Sequence, residues 1–263
     1  MAMSKANHTP RTALRPGIRQ AKICELVSRR GEVSVEDMAE RFHASPETIR
    51  RDLSALAEAG RLRKVHGGAR ALGPLEEGVL RARMRQNLLA KQLIAEKAAA
   101  LVVPGMVLFV DTGSTTLIAA RELARIRRLT IITNSTQIAD VFATGAGGAE
   151  VILLGGRYRH ANAQTVGAET IAQAGLYSAD MALLTIGALD SHGAMDFSSR
   201  EAQLARVMVA NAHECTVLAD HSKLGKRAGF RVCRLEQVTT LICDRPPEES
   251  LKEALKKNRV TLG

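Results

Sequence analysis

Residues of a kind that binds phosphate follow an apolar run in the second half of the chain. Residues 111–116 read DTGSTT and open a segment of helical character. The glycine lets the backbone approach a ligand, while the hydroxyls and the N–H groups at a helix start point toward one spot. The stretch therefore predicts an anion cradle, although Ser and Thr that merely cap a helix would give the same letters.

Further polar groups each follow a later apolar run. They are Asn134-Ser135, Gly155-Gly156-Arg157, Gly187 with Asp190, and Asp220-His221-Ser222-Lys223. In open parallel sheets ligands bind beyond the carboxyl ends of the strands, so groups that follow successive strands meet at one edge. Hydroxyls, amides, carboxylates and a lysine in these positions predict a site for a polyol phosphate.

Apolar runs and helical segments alternate from about residue 93 onward. The predicted strands cover residues 106–110, 129–133, 150–154, 181–186, 216–218 and 238–243. The predicted helices cover residues 94–102, 115–126, 136–143, 168–175, 199–213 and 247–257. Such alternation is typical of an α/β fold with a mostly parallel sheet covered by helices on both faces.

A second set of distinctive residues lies nearer the N-terminus and predicts two short helices. The apolar stripe of the first is Val35, Met38, Ala39 and Phe42, and that of the second is Ile49, Leu53 and Leu56. Ser34 can cap the first helix, and Ser45 with Pro46 can start the second after a break at His43-Ala44. The other faces of the second helix carry Thr48, Arg50, Arg51 and Asp52. A tight helix pair with arginines near the start of the second is typical of a helix-turn-helix.

A basic hairpin is predicted directly after this helix pair. Gly60 can end the second helix, residues 61–66 form a basic strand, Gly67-Gly68 provide the turn and residues 69–72 return. Such a wing would bring Lys and Arg to phosphates, although charge runs often only solvate a surface. The residues predicted to contact DNA are Ser45, Glu47, Thr48, Arg50, Arg51, Arg63, Lys64, His66, Gly67 and Gly68.

The charge distribution agrees with a polyanionic partner for the N-terminal part. Residues 1–72 contain 14 Lys and Arg against 8 Asp and Glu, whereas the remaining residues contain 23 against 19. Trp is absent and aromatic residues are few, which argues against a stacking platform for single-stranded nucleic acid. The expected partner is therefore double-stranded DNA.

No metal, cofactor or membrane is expected as a partner. The cysteines lack C-x-x-C spacing and the histidines lack ligand spacing. Free thiols fit a reducing cytoplasm. The N-terminal residues contain no apolar core of a signal peptide, and Pro104-Gly105 interrupts the apolar run 98–110, so no spanning segment is expected.

Residues 45–69, SPETIRRDLSALAEAGRLRKVHGGA, resemble the signature of the DeoR family of bacterial transcription regulators in order and spacing. The stretches DTGSTT, TNS, LLGG, GALDSHG and ADHSKLG stand where that family's effector-domain motifs stand. The resemblance implies a winged helix-turn-helix joined to a sugar-phosphate sensor whose fold is similar to the phosphosugar isomerases.

The resemblance also implies roles for particular residues. Residues 113–116 would hold the phosphate, and Lys223 would place a second charge on the phosphate or on the sugar. The carboxylates of Asp111, Asp190 and Glu201 would face sugar hydroxyls. The set predicted for the effector is Asp111, Gly113, Ser114, Thr115, Thr116, Asn134, Gly156, Arg157, Gly187, Asp190, Glu201, Asp220 and Lys223. The family often has a lysine four residues after the glutamate, but this chain has Ala205, which weakens the transfer of an isomerase-like acid–base site.

Four consecutive regions are predicted. They are a flexible basic arm (1–16), a winged helix-turn-helix domain (17–72) that starts with a helix over about residues 18–29, a linker (73–88), and a sensor and oligomerisation domain (89–263). One DNA-binding module makes a single major-groove contact, too little to select a rare genomic site, so a homodimer or homotetramer is expected.

Two functions from different classes fit these patterns. The first is a cytoplasmic transcription regulator, in this family usually a repressor, that a phosphorylated sugar or polyol releases from its operator. The alternative is a phosphosugar isomerase with an appended DNA-binding domain, which would turn over ribose 5-phosphate. The basic wing favours the regulator.

Overall fold

The computed structural model describes residues 14–58, 61–71 and 80–263. The chain divides into two compact units, residues 1–73 and 74–263. Most of the predicted basic arm, the predicted helix end at Gly60 and the first part of the predicted linker lie outside the described residues. Leu14 and Arg15, which were assigned to the arm, precede a helix that already begins at Pro16.

The first unit contains the predicted helix pair, packed on a preceding helix. Its elements are α1 (Pro16–Arg30), β1 (Glu32–Ser34), α2 (Val35–Phe42), α3 (Pro46–Glu58), β2 (Arg63–Val65) and β3 (Gly68–Arg70). Its buried core draws on all three helices and includes Ile23, Val27, Met38, Ile49 and Leu53. Ser34 Oγ accepts from the Asp37 N–H at 3.1 Å, so the predicted cap of α2 is confirmed.

The wing is a three-stranded antiparallel sheet of order β1-β3-β2. The sequence prediction missed β1 and placed the turn one residue too late. Val65 pairs with Gly68, so the two turn residues are His66 and Gly67, the latter with φ +74°. Gly68 already belongs to β3, where a Cβ would overlap the carbonyl oxygen of Val33 in β1. Close contact between backbones therefore requires glycine at position 68.

The second unit is built on the predicted parallel sheet. Its seven parallel strands have the order β15-β14-β12-β9-β4-β5-β6. Their bounds are β4 Val107–Val110, β5 Thr130–Thr133, β6 Glu150–Leu153, β9 Ala179–Thr185, β12 Ala212–Leu218, β14 Thr240–Ile242 and β15 Thr261–Leu262. The helices are α4 Leu80–Arg83, α5 Leu88–Leu101, α6 Ser114–Leu123, α7 Thr136–Ala143, α8 Ala168–Ala174, α9 Ser199–Ala210 and α10 Glu249–Lys257.

Helices cover both faces of this sheet, as predicted. Leu108 and Val110 of β4 pack with α5, α6 and α7 in one apolar cluster. Phe109, between them in the chain, packs with α8, α9 and α10 in the other cluster. Successive side chains of a strand point to opposite faces, so a strand buried on both sides is apolar at every position.

Two smaller strand groups were not predicted. The hairpin β7 (Arg157–Arg159) and β8 (Gln164–Val166) follows β6, and β10 (Ala188–Asp190), β11 (Gly193–Asp196) and β13 (Phe230–Cys233) form an antiparallel sheet. The helix predicted over residues 199–213 is also too long. It ends at Ala210, because residues from Ala212 onward pair with β9.

Within the described residues, no helix is long and apolar enough to cross a membrane. The same part of the chain contains no group of three His, Cys, Asp or Glu side chains that could hold a metal ion.

Candidate functional site

The start of α3 has the geometry of a capped recognition helix. Ser45 Oγ accepts from the Thr48 N–H at 3.2 Å and lies 2.9 Å from the Thr48 hydroxyl oxygen. Arg50 and Arg51 are exposed, and each lies near a Glu47 carboxylate oxygen, at 3.7 and 3.9 Å. Exposed ion pairs of this kind contribute little free energy to stability. The guanidinium groups can therefore leave Glu47 and contact DNA with little loss of stability.

The sequence-based prediction was wrong for one residue of α3, Asp52. It was placed with Arg50 and Arg51 on the faces outside the apolar stripe, but it is buried and accepts hydrogen bonds from the side chains of Arg19 and Gln20 on α1. The helical period offered a signal, because residue 52 lies on the same face as Ile49, Leu53 and Leu56. The partners that stabilise its buried charge, however, come from another helix.

The wing presents a basic edge next to α3. Arg63, Lys64 and His66 are exposed. Lys64 Nζ donates to Ser54 Oγ of α3 at 3.2 Å, which connects the wing to the recognition helix. Of the ten residues predicted to contact DNA, Gly68 is buried, and it lets the paired strands β1 and β3 approach closely.

We expect Lys64→Ala to weaken binding to all duplex sequences alike, because a wing lysine would meet a phosphate. The slope of log binding constant against log salt should fall by about 0.9, the contribution of one phosphate contact. Fluorescence anisotropy across a salt series, on operator and on unrelated duplex, measures both quantities. A loss confined to the operator would contradict a phosphate contact.

In the second unit, a cavity opens at the carboxyl ends of β4, β9 and β12. We call it the ligand cavity. Its lining residues are Arg83, Gln86, Asn87, Lys91, Ser114, Thr115, Thr185, Ile186, Leu218, Ala219, Asp220, Ser222 and Lys223. The cavity thus brings together four residues of the predicted effector set from two distant segments of the chain: Ser114 and Thr115 from one, and Asp220 and Lys223 from the other.

Lys91 of α5 lines the ligand cavity, but the sequence analysis did not predict it as a binding residue. Its side chain is buried, and its Nζ donates to the Ser114 hydroxyl at 2.9 Å and to the Arg83 carbonyl oxygen at 2.6 Å. The ammonium thus lies at the start of α6, where the helix dipole is positive. A signal was available, because Lys91 shares one helix face with the buried Ile94, Ala95 and Ala98.

The Asp220 side chain is held in this cavity by hydrogen bonds from two other residues. Asp220 Oδ1 accepts from Asn87 Nδ2 at 2.9 Å and from the Ser222 N–H at 3.0 Å. Burial alone would raise the pKa of Asp220, but the hydrogen bonds from Ser222 and Asn87 and the nearby Lys91 ammonium hold it below its ordinary value. The carboxylate is therefore ionised at neutral pH.

The DTGSTT loop is shaped by packing as well as by capping. A Cβ at Gly113 would overlap the Thr185 side chain, so the loop needs glycine to lie against β9. The Thr116 hydroxyl is buried and donates to the carbonyl oxygens of Asp111 and Gly113 at 3.0 and 3.2 Å. Thr116 thus closes the loop and does not line the ligand cavity, contrary to the prediction that its hydroxyl faces the ligand.

The Asp111 carboxylate connects β4 to β9. It accepts from the Thr185 N–H at 3.0 and 3.1 Å. Burial raises the pKa of Asp111 well above its ordinary value, opposed by the Thr185 hydrogen bond and reinforced by the nearby Asp196 and Glu201 carboxylates. In the structure, Asp111 therefore joins two strands. Its contact with a sugar hydroxyl stays a prediction.

Asn134 and Glu201 belong to a separate hydrogen-bonded chain of side chains. Thr112 Oγ1 donates to Asn134 Oδ1 at 3.0 Å, and Asn134 Nδ2 donates to Gln164 Oε1 at 3.2 Å. Gln164 Nε2 in turn donates to Glu201 Oε1 at 2.6 Å. Neither Asn134 nor Glu201 lines the ligand cavity.

Four other predicted effector residues also lie outside the lining of this cavity: Gly156, Arg157, Gly187 and Asp190. Both glycines allow close packing, since a Cβ would overlap the Thr170 hydroxyl at position 156 and the Phe197 ring at position 187. Arg157 is exposed on β7, and Asp190 pairs with Arg227 Nε at 2.7 Å. A glycine at a strand end can allow close packing, and a charged residue there can form a surface ion pair. The sequence alone does not distinguish these roles from ligand binding.

The first unit is a winged helix-turn-helix, and the second is a parallel α/β unit with a cationic cavity at its strand ends. This combination defines a class of protein, the DNA-binding regulator with a ligand-sensing domain. The DeoR-like helix-turn-helix domain matches residues 19–74 and the DeoR C terminal sensor domain matches residues 86–245. The chain belongs to the DeoR family and is a DNA-binding transcriptional regulator.

Curated relatives share almost the whole length of the chain. The glycerol-3-phosphate regulon repressor of Escherichia coli K12 is 31% identical over 241 residues, which are 91% of this chain and 95% of the relative. The transcriptional repressor AccR of Agrobacterium fabrum is 33% identical over 92% of this chain and 96% of the relative. Relatives that are named repressors support a regulator rather than an isomerase.

Among solved structures, ribose 5-phosphate isomerase A from Methanocaldococcus jannaschii aligns with a TM-score of 0.40 and 22% identity, over 54% of this chain and 56% of that chain. A likeness of this size says nothing about function.

Proposed function

We propose that this regulator is a cytoplasmic repressor that a phosphorylated sugar or polyol releases from its operator. In this proposal α3 and the wing bind operator DNA, and the ligand cavity of the second unit binds the phosphorylated compound. Ligand and operator favour different states of the protein, so each weakens binding of the other by the same factor, typically about 5- to 150-fold.

The observation that carries the proposal is the Lys91 ammonium at the start of α6. The side chain of Lys91 is buried, and a buried charge is stable only among polar groups that interact with it. Lys91 shares the cavity with Lys223, the Ser114 hydroxyl and the N-terminal backbone of a ten-residue helix. Such a group of donors favours a compact anion, and a phosphate dianion offers acceptors to all of them.

The rest of the cavity suits the polyol part of the ligand. Asn87, Asp220 and Ser222 supply amide, carboxylate and hydroxyl groups, which can exchange hydrogen bonds with sugar hydroxyls. The apolar lining is small and includes Ile186 and Leu218. A hydrophilic ligand with one strongly anionic end therefore fits better than an apolar ligand.

We expect a phosphorylated compound to bind and its free form to bind poorly, because the free form has no dianion to accept hydrogen bonds from the donors at the start of α6. Calorimetry on the full chain, with glycerol 3-phosphate and glycerol as the first pair and other sugar phosphates after them, measures this difference. A phosphorylated ligand at 100 times its Kd should stabilise the folded chain by about 2.7 kcal/mol. Equal affinity for the free and phosphorylated forms would contradict the site.

We also propose a homodimer or homotetramer assembled through the second unit, since a single module of this size contacts too little DNA to select one genomic site. Sedimentation at micromolar concentration should show a dimer or tetramer, and a chain truncated after residue 79 should sediment as a monomer. A full chain that stays monomeric with and without operator would rule the assembly out.

A further inference from the structure

A buried ionic cluster joins α1 to the recognition helix. Arg19 Nε donates to Asp52 Oδ2, and Gln20 Nε2 donates to Asp52 Oδ1 at 2.9 Å. Arg19 Nη1 also donates to the Leu14 carbonyl oxygen at 2.7 Å. The side chains of Arg19 and Asp52 are only 8% and 6% exposed. Two successive residues of α1 thus hold both oxygens of one carboxylate on α3.

The position of Asp52 on α3 relates this cluster to the exposed arginines. Successive residues of an α-helix are turned by about 100° from one another. Asp52 therefore lies beside the buried stripe of Ile49, Leu53 and Leu56, while Arg50 and Arg51 project from the remaining surface. Any rotation of α3 about its axis that displaces Asp52 from its partners also changes the direction of both arginines.

Hydrogen bonds restrict this rotation more narrowly than the apolar contacts do. Apolar burial is non-directional, so a helix can turn slightly with little loss. Hydrogen bonds weaken steeply as their angle falls, and a carboxylate held at both oxygens tolerates only a small displacement. A buried ion pair gains little net stability over well-packed apolar residues of similar volume. Directional hydrogen bonds of this kind can therefore hold a helix in one orientation even where they add little net stability.

We propose that Asp52, held by Arg19 and Gln20, is a positioning residue for DNA recognition. The cluster sets the rotation of α3 and so the direction in which Arg50 and Arg51 meet base edges. This inference rests on the proposed role of α3 in reading the operator, which the Arg50→Ala variant tests separately.

The test measures how strongly the full chain prefers one duplex to another. The probes are the duplex that the wild-type chain selects from a random-sequence pool and a permuted duplex of the same composition. The decisive variant combines Arg19→Met with Asp52→Leu, since an apolar pair of similar volume often preserves stability at such sites. We expect wild-type thermal unfolding together with a preference lowered by about tenfold, within the range of one lost base-edge contact.

Two further variants keep the outcome unambiguous. Val27→Ala removes buried volume from α1 and should lower the unfolding temperature without changing the preference, measured where every variant is folded. Gln20→Ala removes one donor but leaves the buried Asp52 carboxylate paired with Arg19, and it should lower the preference to a smaller extent. Wild-type preference in the folded double variant, or in Gln20→Ala if the double variant does not fold, would overturn the proposal. Unchanged affinity and preference in both Arg50→Ala and Arg51→Ala would instead refute the placement of α3.

Discussion

Replacement of Lys91 by methionine is expected to weaken binding of the phosphorylated ligand by about 10- to 150-fold. This corresponds to the roughly 1.5–3 kcal/mol that a hydrogen bond to a charged group contributes. Methionine keeps much of the volume of the buried side chain but supplies no donor to a phosphate. The response of operator binding to the ligand should be lost with it. Calorimetry for the ligand and anisotropy for the operator measure the two effects.

Lys226→Met is a matched control for this experiment, because it removes the same charge from an exposed residue that does not line the ligand cavity. It should bind and respond like the wild-type chain. The combination of Thr115→Ala with Lys223→Ala should lose the response while operator binding persists, since both residues belong to the second unit. If either the Lys91 variant or this double variant, once shown to be folded, still released DNA on ligand addition, the phosphate would have to bind elsewhere.

Removal of either exposed arginine of α3 should have the largest effect on operator binding. Arg50→Ala or Arg51→Ala is expected to weaken binding by about 1–3 kcal/mol if the guanidinium group reads a base edge, and to relax the choice of base there. The weak pairs with Glu47 do not oppose this role, because they are exposed and longer than a good hydrogen bond. Selection from random duplex pools shows which base position loses its preference.

Arg29→Ala serves as the control for these variants, since Arg29 is an exposed arginine at the end of α1, outside α3 and the wing. Its removal should leave the selected sequence unchanged. A uniform loss across all duplexes in the Arg50 and Arg51 variants would mean that both residues bind phosphates. Unchanged affinity in both would remove α3 from the interface.

Much of the fold was predictable because its signals are local. A cap such as Ser45 acts on an N–H three residues away, and the stripe of Ile49, Leu53 and Leu56 follows from the helical period. The alternation of apolar runs and helical segments predicted the parallel sheet for the same reason. The sequence also indicated the edge of the sheet at which Ser114, Asp220 and Lys223 meet, since carboxyl ends of parallel strands share one edge.

The composition of the ligand cavity depended on the tertiary structure. Lys91 reaches Ser114 across 23 positions of the chain, and Asn87 reaches Asp220 across 133. Such contacts arise from how α5 packs on the sheet, which no local pattern reports. Other tertiary contacts account for three residues outside the cavity lining. The Thr116 hydroxyl donates to carbonyl oxygens of its own loop, and the Thr170 and Phe197 side chains lie close to Gly156 and Gly187.

The first unit shows the same division. The sequence by itself determined the helix pair, its caps and a basic wing, because each depends on residues within about one or two turns of each other. Only the tertiary structure decided that Asp52 is buried against Arg19 and that Gly68 pairs closely with β1. A buried charge and a glycine without room for a Cβ are both consequences of a partner that is distant in the chain and close in space.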